Sequence, residues 1–146
     1  QPSEGPAQLG SLAIEFADGS KKTIGDYEGK VVLLDFWATY CQPCIKKLPQ
    51  LQELQQRYGG DKLVVVAVSL DPDVKTAVAW AKANDIVLPI AKFTDDMRKA
   101  FFGGEETIAI PQARLIGKNG ELLDSWGPDG AVEQIEAAIK RALEAL

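Results

Sequence analysis

Residues 31–49 read VVLLDFWATYCQPCIKKLP, and the order of residue types in this stretch decides the fold. Val31 to Trp37 is a near-continuous apolar run of strand length, the signature of a strand covered on both faces and hence of a central strand. Within a few residues the period changes. From about Gln42 to Tyr58 the apolar positions Ile45, Leu48, Leu51, Leu54 and Tyr58 fall three and four apart, which predicts a helix. Pro49 predicts a bend in it, and Gly59-Gly60 ends it. The second buried strand is Leu63 to Leu70 (LVVVAVSL).

Towards the N-terminus, Leu12, Ile14 and Phe16 alternate with small or polar residues. The turn Asp18-Gly19-Ser20 leads into Lys22 to Ile24, so the segment reads as a short hairpin; Gly25 to Lys30 is a polar break. Towards the C-terminus, a helix over Val74 to Ala83 places Val74, Ala77, Val78 and Ala81 on one face. A short strand is expected at Val87 to Ile90 and a polar helix near Asp95 to Phe101. Gln112 to Ile116 and Glu121 to Trp126 form a hairpin through Lys118-Asn119-Gly120. The last helix starts at about Gly130, with Val132, Ile135, Ile139, Ala142, Leu143 and Leu146 on one stripe. Strands alternating with helices, then a hairpin and a helix, describe an α/β three-layer sandwich around a mixed sheet.

The 146 residues leave room for one domain, expected over 11–146 behind a flexible linker at 1–10 (QPSEGPAQLG). A start at Gln1 suits a chain from which a signal peptide or membrane anchor has been removed, although one trimmed there for other reasons reads the same. Hydrophobic residues at 46% and charged residues at 25% are those of an ordinary globular protein. The 16 basic and 21 acidic residues give a net charge of −5, with no basic run longer than two, so nucleic acid is not an expected partner. With no histidine, Ser-His, Cys-His and His-metal chemistry are excluded together. No stretch approaches the roughly 18 apolar residues that span a bilayer.

The two cysteines, Cys41 and Cys44, fall where the buried strand ends and the helix begins. Amides at a helix N-terminus point at the first sulfur and the dipole favours its negative charge, so Cys41 should ionise below the usual value of about 8.5. Cys44, almost one turn further in, is sheltered from an outside partner yet near enough to displace Cys41 from a mixed disulfide. Pro43 lies in the first turn, where a missing N–H costs little. A zinc site lacks its further ligands, a haem attachment lacks a His at position 45, and an inert disulfide would close too small a loop to stabilise much. Redox chemistry on two sulfurs, without metal or cofactor, is the favoured reading.

Together with Asp26–Lys30 (DYEGK), Ile110-Pro111 and Gly117 to Gly120, the 31–49 segment resembles the TlpA/ResA-like thiol-disulfide oxidoreductases of the thioredoxin superfamily. The resemblance implies a thioredoxin-like sandwich with an N-terminal hairpin and an extra strand and helix inserted between Cys44 and Pro111. It implies work outside the cytoplasm on protein disulfides or dithiols, in some members in cytochrome c maturation, with a membrane electron donor and a monomeric chain. Pro111 resembles the family's cis-proline beside the Cys pair, and Ile110 would offer backbone hydrogen bonds to a substrate. Trp37, Tyr40, Gln42 and Pro43 are the further residues expected to contact substrate.

Asp35 resembles the buried acid with which thioredoxins exchange a proton with the second cysteine; a solvated aspartate at a strand edge is the competing reading. Asp71 and Asp73 lie where some relatives carry a functional acid, without clean alignment, and Asp73 reads equally well as a helix N-cap. Lys46 and Lys47 either add positive potential near Cys41 or belong to the helix's solvated face. Tyr40 and Gln42 depart from the commoner residues, so no redox potential transfers. The expected direction is reduction of target disulfides. A peroxiredoxin-type thiol peroxidase is the enzymatic alternative, but its Pro-x-x-x-Thr-x-x-Cys pattern meets Leu34 and Ala38 here. A non-redox binding module is the third reading.

Overall fold

A computed structural model describes residues 8–145. Its centre is β3 (Val31–Trp37), every residue of which is buried, as expected of a strand with apolar side chains on both faces. Parallel to it lies β4 (Leu63–Ser69), and next to β4 lies β5 (Ile90–Lys92). On the other side β6 (Gln112–Ile116) runs antiparallel to β3 and pairs with β7 (Leu122–Trp126). The order β5-β4-β3-β6-β7 is the expected mixed sheet. A separate hairpin pairs β1 (Ala13–Glu15) with β2 (Lys21–Thr23).

Side-chain alternation along β3 sorts the core into two layers. Val31, Leu33 and Trp37 face α1 (Gln42–Tyr58), α2 (Val74–Ala83) and α4 (Val132–Glu144). Val32, Leu34 and Phe36 face the hairpin and α3 (Asp95–Phe102), where Phe36 meets Phe93, Phe101 and Phe102 at centroid distances of 5.8, 5.8 and 5.1 Å. Between β4 and β6 the chain runs through α2, β5 and α3 in that order, which holds the expected extra strand and helix. Helix α1 is continuous through Pro49 and is joined to α4 by Arg57 and Tyr58, which both donate to Glu136.

Three expectations shift. The strand expected at Val87–Ile90 forms at Ile90–Lys92, because Val87 is exposed and Pro89 has no N–H for a ladder. Val78 is turned outward, so Ala77 and Ala81 alone form the buried stripe of α2. The linker expected at 1–10 does not extend to residues 8–10. Gln8 bridges to Glu121, Leu9 is buried with its N–H on the Gly120 carbonyl, and the Gly10 carbonyl accepts from Gly25. Residues 1–7, and Leu146 of the last helical stripe, lie outside the described residues.

The outer edge of β5 is closed by the hairpin. Phe16 forms an isolated antiparallel bridge to Ala91, and the Ala17 N–H donates to the Ile90 carbonyl at 2.9 Å.

Candidate active site

Where β3 ends, Ala38 to Tyr40 turn the chain and Cys41 becomes the N-cap of α1 in extended conformation. Its Sγ accepts the Cys44 backbone N–H at 3.3 Å, so the first sulfur occupies the place of an N-capping oxygen, at the positive end of the helix. Cys41 and Cys44 are joined as a disulfide, with Cα atoms 5.2 Å apart. The pair is unequal: Cys44 has no exposed surface, while Cys41 is half-buried at the rim.

The second wall comes from 69 positions further along the chain. Because β6 is antiparallel to β3, with Asp35 opposite Ala113 and Phe36 opposite Gln112, the chain enters β6 level with the end of β3. The Ile110-Pro111 peptide, cis as the resemblance implies, is therefore set beside the disulfide, and the Ile110 carbonyl oxygen lies 3.8 Å from Cys41 Sγ. Tyr40, Gln42 and Pro43 form the exposed rim, Tyr40 with 68% of its surface free. Trp37 requires a correction. It has no exposed surface, so it cannot touch a substrate; it packs at an incline against Trp80, centroids 5.5 Å apart, and supports the site from within the core.

Asp35 is 1% exposed on the central strand, which removes the strand-edge reading. It shares the side of β3 that faces Cys44 and Leu48 of α1, between Ala67 and Ala113 on the neighbouring strands. Neither carboxyl oxygen has a hydrogen-bond partner among the described residues. Burial pushes its ionisation up to about 7, against the pull of the Lys47 charge. A carboxyl in this state can both hold and release a proton near neutral pH.

Asp71 and Asp73 have distinct tasks. Asp73 caps α2, accepting the Lys75 N–H at 2.9 Å. Asp71 accepts the N–H and the hydroxyl of Thr39 and the hydroxyl of Ser69, fastening the turn that carries Cys41 to the end of β4. It also lines an open groove of about 600 Å³ with Ser69, Asp73, Lys92, Phe93 and Arg98. The two lysines also separate: Lys46 is exposed, whereas Lys47 is half-buried with Nζ on the Gly130 carbonyl at 2.8 Å. Sequence reasoning missed Thr39, Ser69 and the Lys47 tether. Their partners are 32, 2 and 83 positions away, and only the short Ser69–Asp71 spacing, a common turn pattern, left any trace in the sequence.

A thioredoxin-like sheet whose central strand delivers a Cys-X-X-Cys disulfide to a helix N-terminus, against a cis-proline loop, defines a thiol-disulfide oxidoreductase. The AhpC/TSA family pattern matches residues 9–125, and the chain belongs to that family. It is 40% identical over 120 residues to the thioredoxin-like protein YneN of Bacillus subtilis, covering 80% of this chain and 68% of the relative. It is 28% identical over 124 residues to the thiol-disulfide oxidoreductase ResA of Bacillus thuringiensis subsp. konkukian, covering 85% and 70%. The solved thiol:disulfide interchange protein of Chlorobium tepidum TLS, a thioredoxin family protein, shares the fold at a TM-score of 0.81 and 20% identity, over 97% of this chain and 99% of that one. Among the described residues no helix is long and apolar enough to cross a membrane.

Proposed function

We propose that the protein reduces disulfides of protein substrates outside the cytoplasm, with Cys41 attacking, Cys44 resolving and Asp35 carrying the proton. The observation that carries this reading is the inequality of the sulfurs: one caps a helix at the rim, and the other lies buried in the layer that also holds an unpartnered carboxyl. In the reduced protein the Cys41 thiolate attacks one sulfur of the substrate disulfide, forming a mixed disulfide and releasing one substrate thiolate. The Cys44 thiol gives its proton to the Asp35 carboxylate, and its sulfur attacks Cys41 Sγ. The second substrate thiolate leaves, the Cys41–Cys44 disulfide closes, and two electrons have passed to the substrate.

The Ile110 carbonyl and its cis-proline loop would align the substrate backbone beside Cys41, with Tyr40, Gln42 and Pro43 at the rim. A membrane-bound dithiol donor would restore the reduced pair. The similarity to a thiol-disulfide oxidoreductase supports the exchange chemistry, and the TlpA/ResA resemblance supports this setting and a role on the haem-attachment cysteines of an apocytochrome c; a monomer suffices for each step. A thiol peroxidase is disfavoured despite the family membership. Leu34 and Ala38, both fully buried, stand where that chemistry places its proline and threonine, and the nearby Thr39 hydroxyl is held by Asp71.

Equilibration with glutathione buffers tests the direction. The Gln42-Pro43 pair brings no positive charge to stabilise the Cys41 thiolate strongly, so the potential is expected nearer thioredoxin, about −270 mV, than DsbA, about −120 mV. A value above that of protein disulfide isomerase, about −180 mV, would make the protein an oxidase.

A further inference from the structure

Asp35 presents an electrostatic problem that the exchange reaction alone does not solve. A carboxylate buried without a hydrogen bond is costly, so the group either keeps its proton or, when ionised, draws on an opposite charge. The strands beside it offer Ala67 and Ala113. Helix α2 offers Ala77 and Ala81 to this layer, and α4 offers Ile135, Ala138 and Ile139. None can carry charge. Helix α1 contributes Cys44 and Leu48, both fully buried, and between them Lys47, one turn beyond Cys44. The Lys47 side chain is half-buried, and its Nζ donates to the Gly130 carbonyl at 2.8 Å. That anchor is itself fixed: a Cβ at Gly130 would come within 2.6 Å of Trp126 Cβ, and the Gly130 N–H closes a turn onto Gly127.

We propose that Lys47 is a positioning residue for disulfide exchange, its ammonium held at the Gly130 carbonyl as the counter-charge of the Asp35 carboxylate that receives the Cys44 proton. The reading of Asp35 as proton carrier underlies this inference. The lysine favours the ionised form of Asp35, so the proton acceptor of Cys44 is available at a lower pH than burial alone would allow. Besides Lys47, the groups of this layer that titrate are the two thiols, once reduced, and Tyr58 at the far end of α1, whose hydroxyl is held by Glu136.

The experiment is a carbon-13 titration of the Asp35 carboxyl in the oxidised protein, paired with the pH profile of single-turnover disulfide reduction. Lys47→Met is expected to raise the Asp35 midpoint by about one pH unit and to displace the rate profile upward with it. Lys47→Arg keeps the charge and is expected to restore both, so a packing defect in the methionine variant can be separated from loss of charge. Lys46→Met, which removes an exposed charge from the same helix, is expected to move neither. An Asp35 midpoint unchanged in Lys47→Met, or raised equally in Lys46→Met, overturns the inference. A raised midpoint with an unmoved rate profile upholds the Lys47–Asp35 coupling and overturns the proton-carrier reading instead.

Discussion

The Asp71 carboxylate receives the backbone N–H of Thr39 at 3.1 Å and its hydroxyl at 2.7 Å. One residue, Tyr40, separates this clamp from Cys41, and a third donor, the Ser69 hydroxyl at 2.7 Å, ties the same carboxylate to the end of β4. The loop that aims the attacking sulfur is thus fixed to the strand beside the one from which it emerges. Asp71→Ala leaves the Thr39 N–H without its partner and is expected to cost about 1–3 kcal/mol. It should also slow alkylation of Cys41 at neutral pH, since a looser turn holds the sulfur less well at the helix terminus. Urea denaturation and alkylation rate against pH measure the two effects. A stability loss with the Cys41 profile unchanged would confine Asp71 to the fold.

Burial makes Asp35 a source of pH-dependent instability. An unfolded aspartate ionises near 3.9, whereas Asp35 keeps its proton to about 7 in the folded protein. Between those values the folded state binds the extra proton, so stability falls as pH rises through the window and levels off above it. The span corresponds to a loss on the order of 4 kcal/mol. Asp35→Asn, which cannot ionise, is expected to be the more stable protein at pH 8 and to match the wild type near pH 4 when oxidised forms are compared in urea. The same variant should exchange disulfides more slowly, with a flatter pH profile. Unchanged kinetics would reduce Asp35 to a structural residue.

The two sulfurs should react very differently. Cys41 borders solvent and Cys44 has no exposed surface, so iodoacetamide is expected to modify Cys41 first and at lower pH in the reduced protein. Faster reaction at Cys44 reverses the roles.

Removing the resolving sulfur should arrest the reaction halfway. Cys44→Ser is expected to accumulate mixed disulfides between Cys41 and its protein substrates, visible on non-reducing gels, whereas Cys41→Ser accumulates none. Identical patterns from the two variants would favour a binding module.

Tyr40 stands clear of the surface beside Cys41. Tyr40→Ala is expected to lower kcat/KM for a protein disulfide several-fold, about 1 kcal/mol, while barely affecting a small disulfide such as oxidised glutathione. Equal losses on both would place Tyr40 in the chemistry instead of in docking.

Elements whose apolar pattern is strong were legible in the sequence. Val31–Trp37 reads as a central strand because both its faces are apolar, and α1 keeps its helical spacing through Pro49. Val78 misled because it is as hydrophobic as a core residue while lying against an open part of the surface. The strand before α3 was misplaced because Val87 and Leu88 are better strand formers than Ala91 and Lys92; pairing with Ala67–Ser69 starts only after Pro89. At the site, Cys41, Cys44 and Pro111 were legible from spacing and resemblance. Lys46 and Lys47 are the same residue type side by side, and only the path of the chain to Gly130 distinguishes them.

The hairpin that covers β5 matters beyond the stability it adds. On the proposed function the protein would meet substrate segments able to add themselves as strands, and an open edge would recruit them wherever they met it. Here the Phe16–Ala91 bridge and the Ala17–Ile90 hydrogen bond occupy that edge from within the same chain. The backbone carbonyl left beside Cys41 is the one at Ile110. On the proposed function, clients would be admitted at the sulfur and turned away at this flank, and self-association by strand exchange through β5 is blocked by the same means.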